Sequence, residues 1–230
     1  MRPSVHTVIA VKSLGLAKSR LADGLRPQDR PRLVLAMLTD TVTAAVVTPG
    51  IASVTVVTPD PVVTELVREL GAHVQPEPAR GTGGLNAALA AGAAAVRRRH
   101  GPVDLLALQA DLPALRPDEL SGVLRVATRP RTVVTDHEGS GTVALLVRGR
   151  RNELDPLFGP DSARRHISAG AVELLGEWPG LRQDVDTTAD LDRAAALGVG
   201  AATTALLREI GVSHACRGAE QVHRARSSLC

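Results

Sequence analysis

Only two lysines occur in this chain of 230 residues, Lys12 and Lys18, and both lie in residues 11–20, directly after the first strand-like run. The chain has 27 lysines and arginines, and all but these two are arginine. A lysine that served only solubility is therefore not expected in this sequence. An ammonium is a compact, strongly hydrated charge, which suits phosphate oxygens whose charge shifts during a reaction. The pattern predicts a phosphate-binding loop, with a solvated loop as the alternative.

Three aspartates occupy segments where an open α/β sheet would bind a ligand. Asp111 follows a strongly apolar run and is soon followed by a proline. Asp184 and Asp186 share one face of an extended segment whose middle residue, Val185, points into the core. Two carboxylates on one face repel each other, and a bound Mg²⁺ with oxygen ligands would remove that cost. The alternatives are a turn-forming aspartate and an exposed strand end beside a helix N-terminus.

Glycine and serine mark two further segments that could contact an anion. Residues 139–142 are Gly-Ser-Gly-Thr, and Gly159 and Ser162 lie in residues 158–164, where a helix is predicted to begin. Glycine permits close approach of the backbone, and a serine at a helix start presents hydroxyl and amide hydrogens. A hairpin turn and a helix N-cap are the alternatives.

Other sequence motifs narrow the choice of chemistry. A glycine run at residues 81–84 opens a helix and could contact a base or a ribose, although on its own it is only a flexible loop. The chain lacks GxGxxG and GxxxxGK[ST], which argues against a dinucleotide-binding site and a Walker A loop. Its seven histidines are scattered without HxH or HExxH, and no Ser-His-Asp or Cys-His arrangement can be assembled.

Short apolar or β-branched runs alternate with segments of helical periodicity. Strands are predicted at residues 7–11, 53–58, 103–108, 132–135 and 142–147. Helices are predicted at residues 34–46, 63–70, 85–99, 117–127, 188–197 and 201–210. This order predicts a doubly wound α/β fold, with a mostly parallel sheet and helices on both faces.

Two local patterns refine this fold. The strands at 132–135 and 142–147 flank a turn-rich connection of hairpin length, which predicts a small antiparallel insertion. Thr187 is a candidate N-cap with Asp190 three residues on, as in a capping box, and Gly198 ends the same helix.

The composition indicates how the chain is divided into domains and which classes of partner it does not bind. Residues 1–210 are predicted to form a single domain, and residues 211–230 a disordered tail with few apolar side chains. One Phe, one Trp, no Tyr and a net charge of +3 argue against nucleic-acid binding. Both cysteines lie in the tail, and no apolar run is long enough for a signal peptide or a membrane span, so a cytoplasmic protein is expected.

Taken together, the segments resemble the guanylyltransferases of coenzyme F420 biosynthesis, which join GTP to phosphoenolpyruvate or 2-phospho-L-lactate. The resemblance covers roughly residues 6–207 and is of the actinobacterial type. It rests on the order and spacing of Ile9-Ala10-Val11-Lys12, Ala17-Lys18-Ser19-Arg20-Leu21, Leu85-Asn86, Gln109-Ala110-Asp111-Leu112-Pro113, Gly141-Thr142, Phe158-Gly159-Pro160-Asp161-Ser162 and Asp184-Val185-Asp186-Thr187.

The resemblance implies a MobA-like nucleotidyltransferase fold, of the nucleotide-diphospho-sugar transferase type, and a role for each segment. It implies that magnesium, as two ions, is held by Asp111, Asp184 and Asp186. It implies that the phosphorylated three-carbon acid is held by Thr142, Gly159 and Ser162. It implies that GTP is contacted by Lys12, Lys18, Ser19, Arg20, Gly84 and Asn86, of which Lys12, Lys18 and Arg20 act in catalysis.

The implied reaction is attack by a phosphate oxygen of phosphoenolpyruvate on the α-phosphorus of GTP. Pyrophosphate leaves, enolpyruvyl-diphospho-guanosine forms, and no enzyme nucleophile is required. GTP and phosphoenolpyruvate are thus the expected partners, with hand-over of the product to the next pathway enzyme and without nucleic acid or membrane. The alternatives are 2-phospho-L-lactate or 3-phosphoglycerate as acceptor, another MobA-like nucleotidyltransferase, and a non-catalytic nucleotide-binding module.

Overall fold

Strands and helices alternate along the chain in the computed structural model, which describes residues 5–14, 25–77, 84–149 and 152–211. The strands of these residues are β1 (Val5–Ala10), β2 (Ile51–Thr58), β3 (His73–Pro76), β4 (Asp104–Leu108), β5 (Arg131–Thr135), β6 (Thr142–Val147) and β7 (Val172–Glu173). The helices are α1 (Asp29–Val47), α2 (Pro61–Glu69), α3 (Leu85–His100), α4 (Pro117–Val126), α5 (Ser162–Ser168), α6 (Pro179–Arg182), α7 (Thr188–Leu197) and α8 (Ala201–Glu209).

The strands form one seven-stranded sheet in the order β3-β2-β1-β4-β6-β5-β7. Strands β1 to β4 pair in parallel, whereas β6 is antiparallel to both of its neighbours, β4 and β5. Successive residues of β1 face opposite sides, because Ile9 packs in the cluster that contains α1 residues and Val8 in the cluster that contains α3 residues. The predicted doubly wound sheet with an antiparallel insertion is confirmed.

The sheet has a switch point between β1 and β4. From β1 the chain first extends the sheet on one side through β2 and β3, and then returns to place β4 on the other side. Ligands of open α/β sheets bind at such a point, beyond the carboxyl ends of the strands. The register pairs Val8 with Ala107, so Lys12 and Asp111 each follow the same pair by four residues. Thr142, the first residue of the antiparallel β6, lies at this same edge.

Three short elements, β3, β7 and α6, are absent from the prediction because their sequence signals are weak. β3 is an edge strand of exposed and half-buried residues, and β7 has two residues, so neither forms an apolar run. α6 is a four-residue helix that begins at a proline. The predicted tail at 211–230 lies outside the described residues, apart from Gly211. No helix among the described residues is long and apolar enough to cross a membrane.

Gly92 lets α3 approach the sheet closely. A Cβ placed on Gly92 would lie 2.5 Å from Cγ1 of Val8 and 2.6 Å from Cγ2 of Val57, well inside van der Waals contact. These valines belong to the central strands β1 and β2. The absence of a side chain at Gly92 therefore sets the distance between the sheet and α3, whose first turn carries Asn86.

We predict that Gly92→Ala destabilises the protein by about 1–2 kcal/mol, because overpacking outweighs the gain of up to about 1 kcal/mol in helix propensity. Denaturant unfolding monitored by circular dichroism measures the change. Gly122→Ala in the interior of α4 is the matched control, since its nearest contact would be Nε1 of Trp178 at 3.1 Å. Equal stability changes in the two variants would contradict the packing argument.

Candidate active site

Asp111 lies just beyond β4, where its neighbours hold the backbone on both sides. The N–H of Gln109 donates to the carbonyl oxygen of Val143 on β6, at 3.0 Å. The N–H of Leu112 donates to the hydroxyl of Thr41 on α1, at 3.1 Å. Leu112 is fully buried, and Asp111 is half-buried. Asp111 therefore lies at the rim of the sheet, between an interior strand and a side chain anchored in the core.

A backbone hydrogen bond joins the segment of Asp184 and Asp186 to Asp111. The N–H of Val185 donates to the carbonyl oxygen of Asp111, at 3.1 Å. Val185 is fully buried, as predicted, in a cluster with residues of α1, α7 and α8. Asp184 is half-buried and Asp186 is exposed. The two predicted carboxylate segments, distant in sequence, are thus neighbours at the carboxyl edge of the sheet.

Asp190 organises the turn that carries Asp186. Its Oδ2 accepts hydrogen bonds from the N–H of Asp186 (3.2 Å) and from the N–H and hydroxyl of Thr187 (both 2.7 Å). Thr187 in turn accepts from the N–H of Asp190, so the predicted capping box at the start of α7 is confirmed. Burial acts to raise the pKa of Asp190, but the hydrogen bonds from Thr187, Asp186 and Arg193 outweigh it and hold the pKa below its usual value. The turn is therefore fixed by a charged carboxylate.

Glu119 and Arg182 anchor α6, which leads into the aspartate segment. The buried carboxylate of Glu119 accepts from the N–H groups of Gly180 (3.0 Å) and Leu181 (2.9 Å), which begin this short helix. The guanidinium of Arg182 donates to the carbonyl oxygen (3.0 Å) and the hydroxyl (2.6 Å) of Thr135, at the end of β5. The aspartate segment is thus tied to α4 and β5 as well as to β4.

The structure does not show the three aspartates as a ready-made metal cage. Among residues 5–14, 25–77, 84–149 and 152–211, no group of three or more His, Cys, Asp or Glu side chains is placed to hold a metal ion. The carboxylate chemistry nevertheless suits Mg²⁺, which is usually bound through one or two carboxylates together with substrate phosphates and waters. Asp111, Asp184 and Asp186 are the side chains at this edge that could supply such ligands.

Lys12 follows β1 with its side chain exposed to solvent. The N–H of Val11 donates to the carbonyl oxygen of Val57, which extends the pairing with β2 to the residue before Lys12. Two residues after Lys12, the N–H of Leu14 donates to the carboxylate of Asp60, the N-cap of α2. The start of the predicted phosphate-binding loop is therefore held on both sides of Lys12.

The remaining residues of that loop, Lys18, Ser19 and Arg20, lie outside the described residues, and their predicted contacts with GTP stay predictions.

Thr142, Gly159 and Ser162, predicted to hold the acid, are brought together around a residue that sequence reasoning missed. The hydroxyl of Thr142 is 3.0 Å from Nδ1 of the buried His166, which lies one turn beyond Ser162 in α5. The N–H of Ser162 donates to the carbonyl oxygen of Gly159, at 3.1 Å. Gly159 has a φ of +121°, and a Cβ there would lie 3.0 Å from Nη2 of Arg165. This position therefore requires glycine.

Asp136 shapes the connection between β5 and β6. Its carboxylate accepts hydrogen bonds from the N–H groups of Ser140 (3.0 Å) and Gly141 (2.8 Å). The carbonyl oxygen of Ser140 accepts from the N–H of Ala163 in α5, at 3.1 Å. The predicted hairpin is confirmed, and its turn is attached to the helix that begins at Ser162.

Asn86 is engaged with the backbone of Phe158. Its side-chain oxygen accepts from the N–H of Phe158 (2.8 Å), and its side-chain nitrogen donates to the carbonyl oxygen of the same residue (3.0 Å). Asn86 thereby fixes the residue before Gly159, a role that its sequence context does not predict. Gly84, the other residue of this segment predicted to contact the nucleotide, is exposed and has a φ of +111° at the N-cap of α3.

His166 is held neutral by its surroundings. Burial is the main cause that lowers its pKa to about 4, and the charges of Arg131 and Arg165 act in the same direction. The ring of Phe158 packs against it edge-on, with centroids 5.2 Å apart. The one signal in the sequence for this role is its helical spacing of four residues from Ser162, which needs the start of α5 to be known.

Sequence comparison matches residues 5–226 to a protein family described as guanylyl transferase CofC like. The chain belongs to this family. It is 67% identical over 97% of its length, and 99% of that protein's length, to a phosphoenolpyruvate guanylyltransferase of Nocardia farcinica. It is 51% identical over 89% of its length, and 90% of the other protein's length, to a phosphoenolpyruvate guanylyltransferase of Rhodococcus opacus. The actinobacterial resemblance seen in the sequence segments is confirmed.

Solved structures show that this family member has a nucleotidyltransferase fold. A protein from Desulfovibrio desulfuricans described as a nucleotide-diphospho-sugar transferase superposes with a TM-score of 0.69 at 15% identity, over 91% of this chain and 96% of the other. A 4-diphosphocytidyl-2C-methyl-D-erythritol synthase superposes with a TM-score of 0.55 at 12% identity, over 86% of this chain and 99% of the other. The predicted fold type is confirmed.

We predict that Asp190→Ala lowers stability by about 2 kcal/mol, because the turn loses several hydrogen bonds to one carboxylate. Guanylyl transfer measured below the unfolding transition should fall about 10- to 100-fold, since the aspartate segment is displaced. The control is Glu65→Ala, an exposed acidic residue in the middle of α2, which should change stability by less than about 0.5 kcal/mol. Full activity in a folded Asp190→Ala protein would show that this turn does not position the reaction.

Proposed function

We propose that this protein is a phosphoenolpyruvate guanylyltransferase of the cytoplasm, which transfers the guanylyl group of GTP to the phosphate of phosphoenolpyruvate and releases pyrophosphate. The observation that carries the proposal is the hydrogen bond between Val185 and Asp111, because it joins both acidic segments at the sheet edge where Thr142 begins β6. The names and high identities of the Nocardia and Rhodococcus relatives support this acceptor.

The main obstacle to this reaction is electrostatic. An acceptor phosphate of about two negative charges must approach a triphosphate of about four, and each pair of unit charges at about 4 Å costs roughly 1 kcal/mol in water and more in a drier site. Lys12 stands beyond β1 at the level of Asp111 beyond β4, so its ammonium is available to the phosphates at the switch point. Lys18 and Arg20 would stabilise the negative charge on the departing pyrophosphate.

We assign Asp111, Asp184 and Asp186 to magnesium, as two ions in the complete complex. Their oxygens are the hard ligands that this ion takes, and in the complete complex substrate phosphates would supply further ligands. Bound magnesium would offset phosphate charge and align the attacking and leaving oxygens. Asp190 contributes by holding the turn of Asp186 in place through its backbone.

The acceptor is held by the second group of residues. Thr142 lies on β6, Gly159 in the loop before α5, and Ser162 at the start of α5. Hydrogen bonds connect these three parts of the chain. Such a preorganised site can hold the attacking oxygen near the α-phosphorus of GTP, which lowers the entropic part of the barrier. The attack then needs no enzyme nucleophile, because the acceptor phosphate is itself the nucleophile.

We predict that the purified protein converts GTP and phosphoenolpyruvate, with magnesium, into enolpyruvyl-diphospho-guanosine and pyrophosphate. Mass spectrometry of the product and a coupled pyrophosphate assay detect the two halves of the reaction. Parallel incubations contain 2-phospho-L-lactate, 3-phosphoglycerate or a sugar phosphate in place of phosphoenolpyruvate. A preferred product with another acid would change the assigned acceptor, and no pyrophosphate release with any of them would refute guanylyl transfer.

We predict that Asp184→Asn and Asp186→Asn each lower kcat/KM by about 100-fold or more, because a metal ligand and its charge are lost while the shape is kept. Titration of Mn²⁺ into the protein with GTP, followed by electron paramagnetic resonance, should show weaker ion binding. Asp118→Asn, at an exposed position in α4, is the control. A double variant of Asp184 and Asp186 with wild-type metal affinity and turnover would overturn the assignment.

A further inference from the structure

His166 uses both of its ring nitrogens inside the protein. Nε2 is 2.9 Å from the backbone nitrogen of Leu157, and Nδ1 is 3.0 Å from the hydroxyl oxygen of Thr142. The side chain is fully buried, so water does not compete for either nitrogen. These two contacts decide where the proton of the imidazole can reside.

The contact with Leu157 determines the tautomer. A backbone N–H can only donate, so Nε2 must present its lone pair and carries no proton. A neutral imidazole has one ring proton, which then lies on Nδ1. The surroundings keep the ring neutral. Burial is the main cause that lowers the pKa of His166, and the charges of Arg131 and Arg165 add to it; together they outweigh the backbone of Ser162 and the charge of Asp155, which raise the pKa.

The tautomer in turn sets the direction of the hydrogen bond with Thr142. Nδ1–H donates to the Thr142 hydroxyl oxygen, and the hydroxyl hydrogen is left for a different acceptor. With the opposite tautomer the hydroxyl would donate to His166 and present only lone pairs to a ligand.

We propose that His166 is a positioning residue for the acceptor: its Nδ1–H orients the Thr142 hydroxyl as a hydrogen-bond donor, and so makes the site select an anionic group. This inference rests on the proposed function, in which Thr142 contacts the phosphorylated acid. Carboxylate and phosphate oxygens are acceptors without a hydrogen to donate, so they match an oriented donor and would be repelled by lone pairs.

His166 also couples this donor to the other acceptor residues. Through Nε2 it holds Leu157, two residues before Gly159, and Asn86 holds the intervening Phe158 from α3. Its own helix begins at Ser162, whose N–H is bonded to the carbonyl oxygen of Gly159. A displacement of this ring would therefore move the hydroxyl of Thr142 and the loop of Gly159 together.

The tautomer is tested on the wild-type protein. Long-range ¹H–¹⁵N correlation spectra of ¹⁵N-histidine-labelled protein at pH 7 distinguish the two nitrogens of His166, assigned by comparison with a His166→Gln sample or, should that variant not fold, with Thr142→Val. We expect a neutral ring protonated at Nδ1, with a shift of the Nδ1 signal when phosphoenolpyruvate is added. A ring protonated at Nε2, a doubly protonated ring, or no response to any of the three candidate acids would overturn the proposal.

Matched variants separate the two contacts of the ring. The δ-amide of His166→Asn can occupy the Nδ1 position and donate to Thr142, whereas the ε-amide of His166→Gln reaches the Nε2 position and can accept from Leu157. We expect His166→Gln to raise the KM for the acid about 10- to 100-fold, as for a lost hydrogen bond to a charged group, and His166→Asn to raise it less. The KM for GTP should stay unchanged in both.

A double-mutant cycle with Thr142→Val distinguishes positioning from a general structural effect. Because both changes remove the same oriented donor, the double variant His166→Gln/Thr142→Val should have no higher KM for the acid than the worse single variant. Additive losses, a parallel rise in the KM for GTP, or a His166→Asn protein worse than His166→Gln would refute the positioning role.

The outcome can be told apart from failure of the proposed function. The KM values are measured with whichever acid the wild-type protein turns over, so a change of acceptor leaves the test of His166 intact. Should the wild type turn over none of the acids, the proposed function fails, and the labelled spectra with added acid alone decide the role of His166.

Discussion

The site depends on one backbone hydrogen bond, from the N–H of Val185 to the carbonyl oxygen of Asp111. It joins the end of a central strand to a segment that the chain reaches only after the antiparallel insertion and two short helices. The fully buried Val185 side chain and the capping carboxylate of Asp190 hold the segment on either side of Asp186. Burial of the Val185 side chain thus determines where the flanking carboxylates of Asp184 and Asp186 lie, so packing in the core positions the acidic segment.

Several hydrogen bonds hold the segments around this contact in place. Carboxylates gathered at one edge repel each other, and a flexible loop would relieve the repulsion by moving apart. Here Asp190 fixes the turn, Glu119 holds the start of α6, and Arg182 ties its end to Thr135. The folded protein therefore keeps these carboxylates in place, and the magnesium proposed above would offset the repulsion between them. The proposed acceptor side has a neutral histidine next to Thr142, where a carboxylate would repel an anionic acid.

Local signals account for the parts of the fold that the sequence predicted well. The capping box of Thr187 and Asp190, the stop at Gly198 and the β-branched run of β6 depend on interactions within a few residues, so their bounds were predicted closely. The edge strand β3 and the two-residue β7 carry no such signal, because they contain no run of buried residues and no alternation of buried and exposed residues. Asp136 and His166 were missed as site residues because their partners, Gly141 and Thr142, are identified only when the hairpin is folded against α5.

The sequence by itself determined the kinds of chemistry available: a lysine loop after the first strand, three aspartates in rim segments, and glycine and serine beside a predicted hairpin. It also determined the alternation of strands and helices, because periodicity and caps are local. Only the tertiary structure decided that β6 inserts between β4 and β5, that Val185 meets Asp111, and that His166 faces Thr142. These pairings join residues far apart in the chain, and they are selected by burial and hydrogen-bond satisfaction over the whole fold, which no short segment specifies.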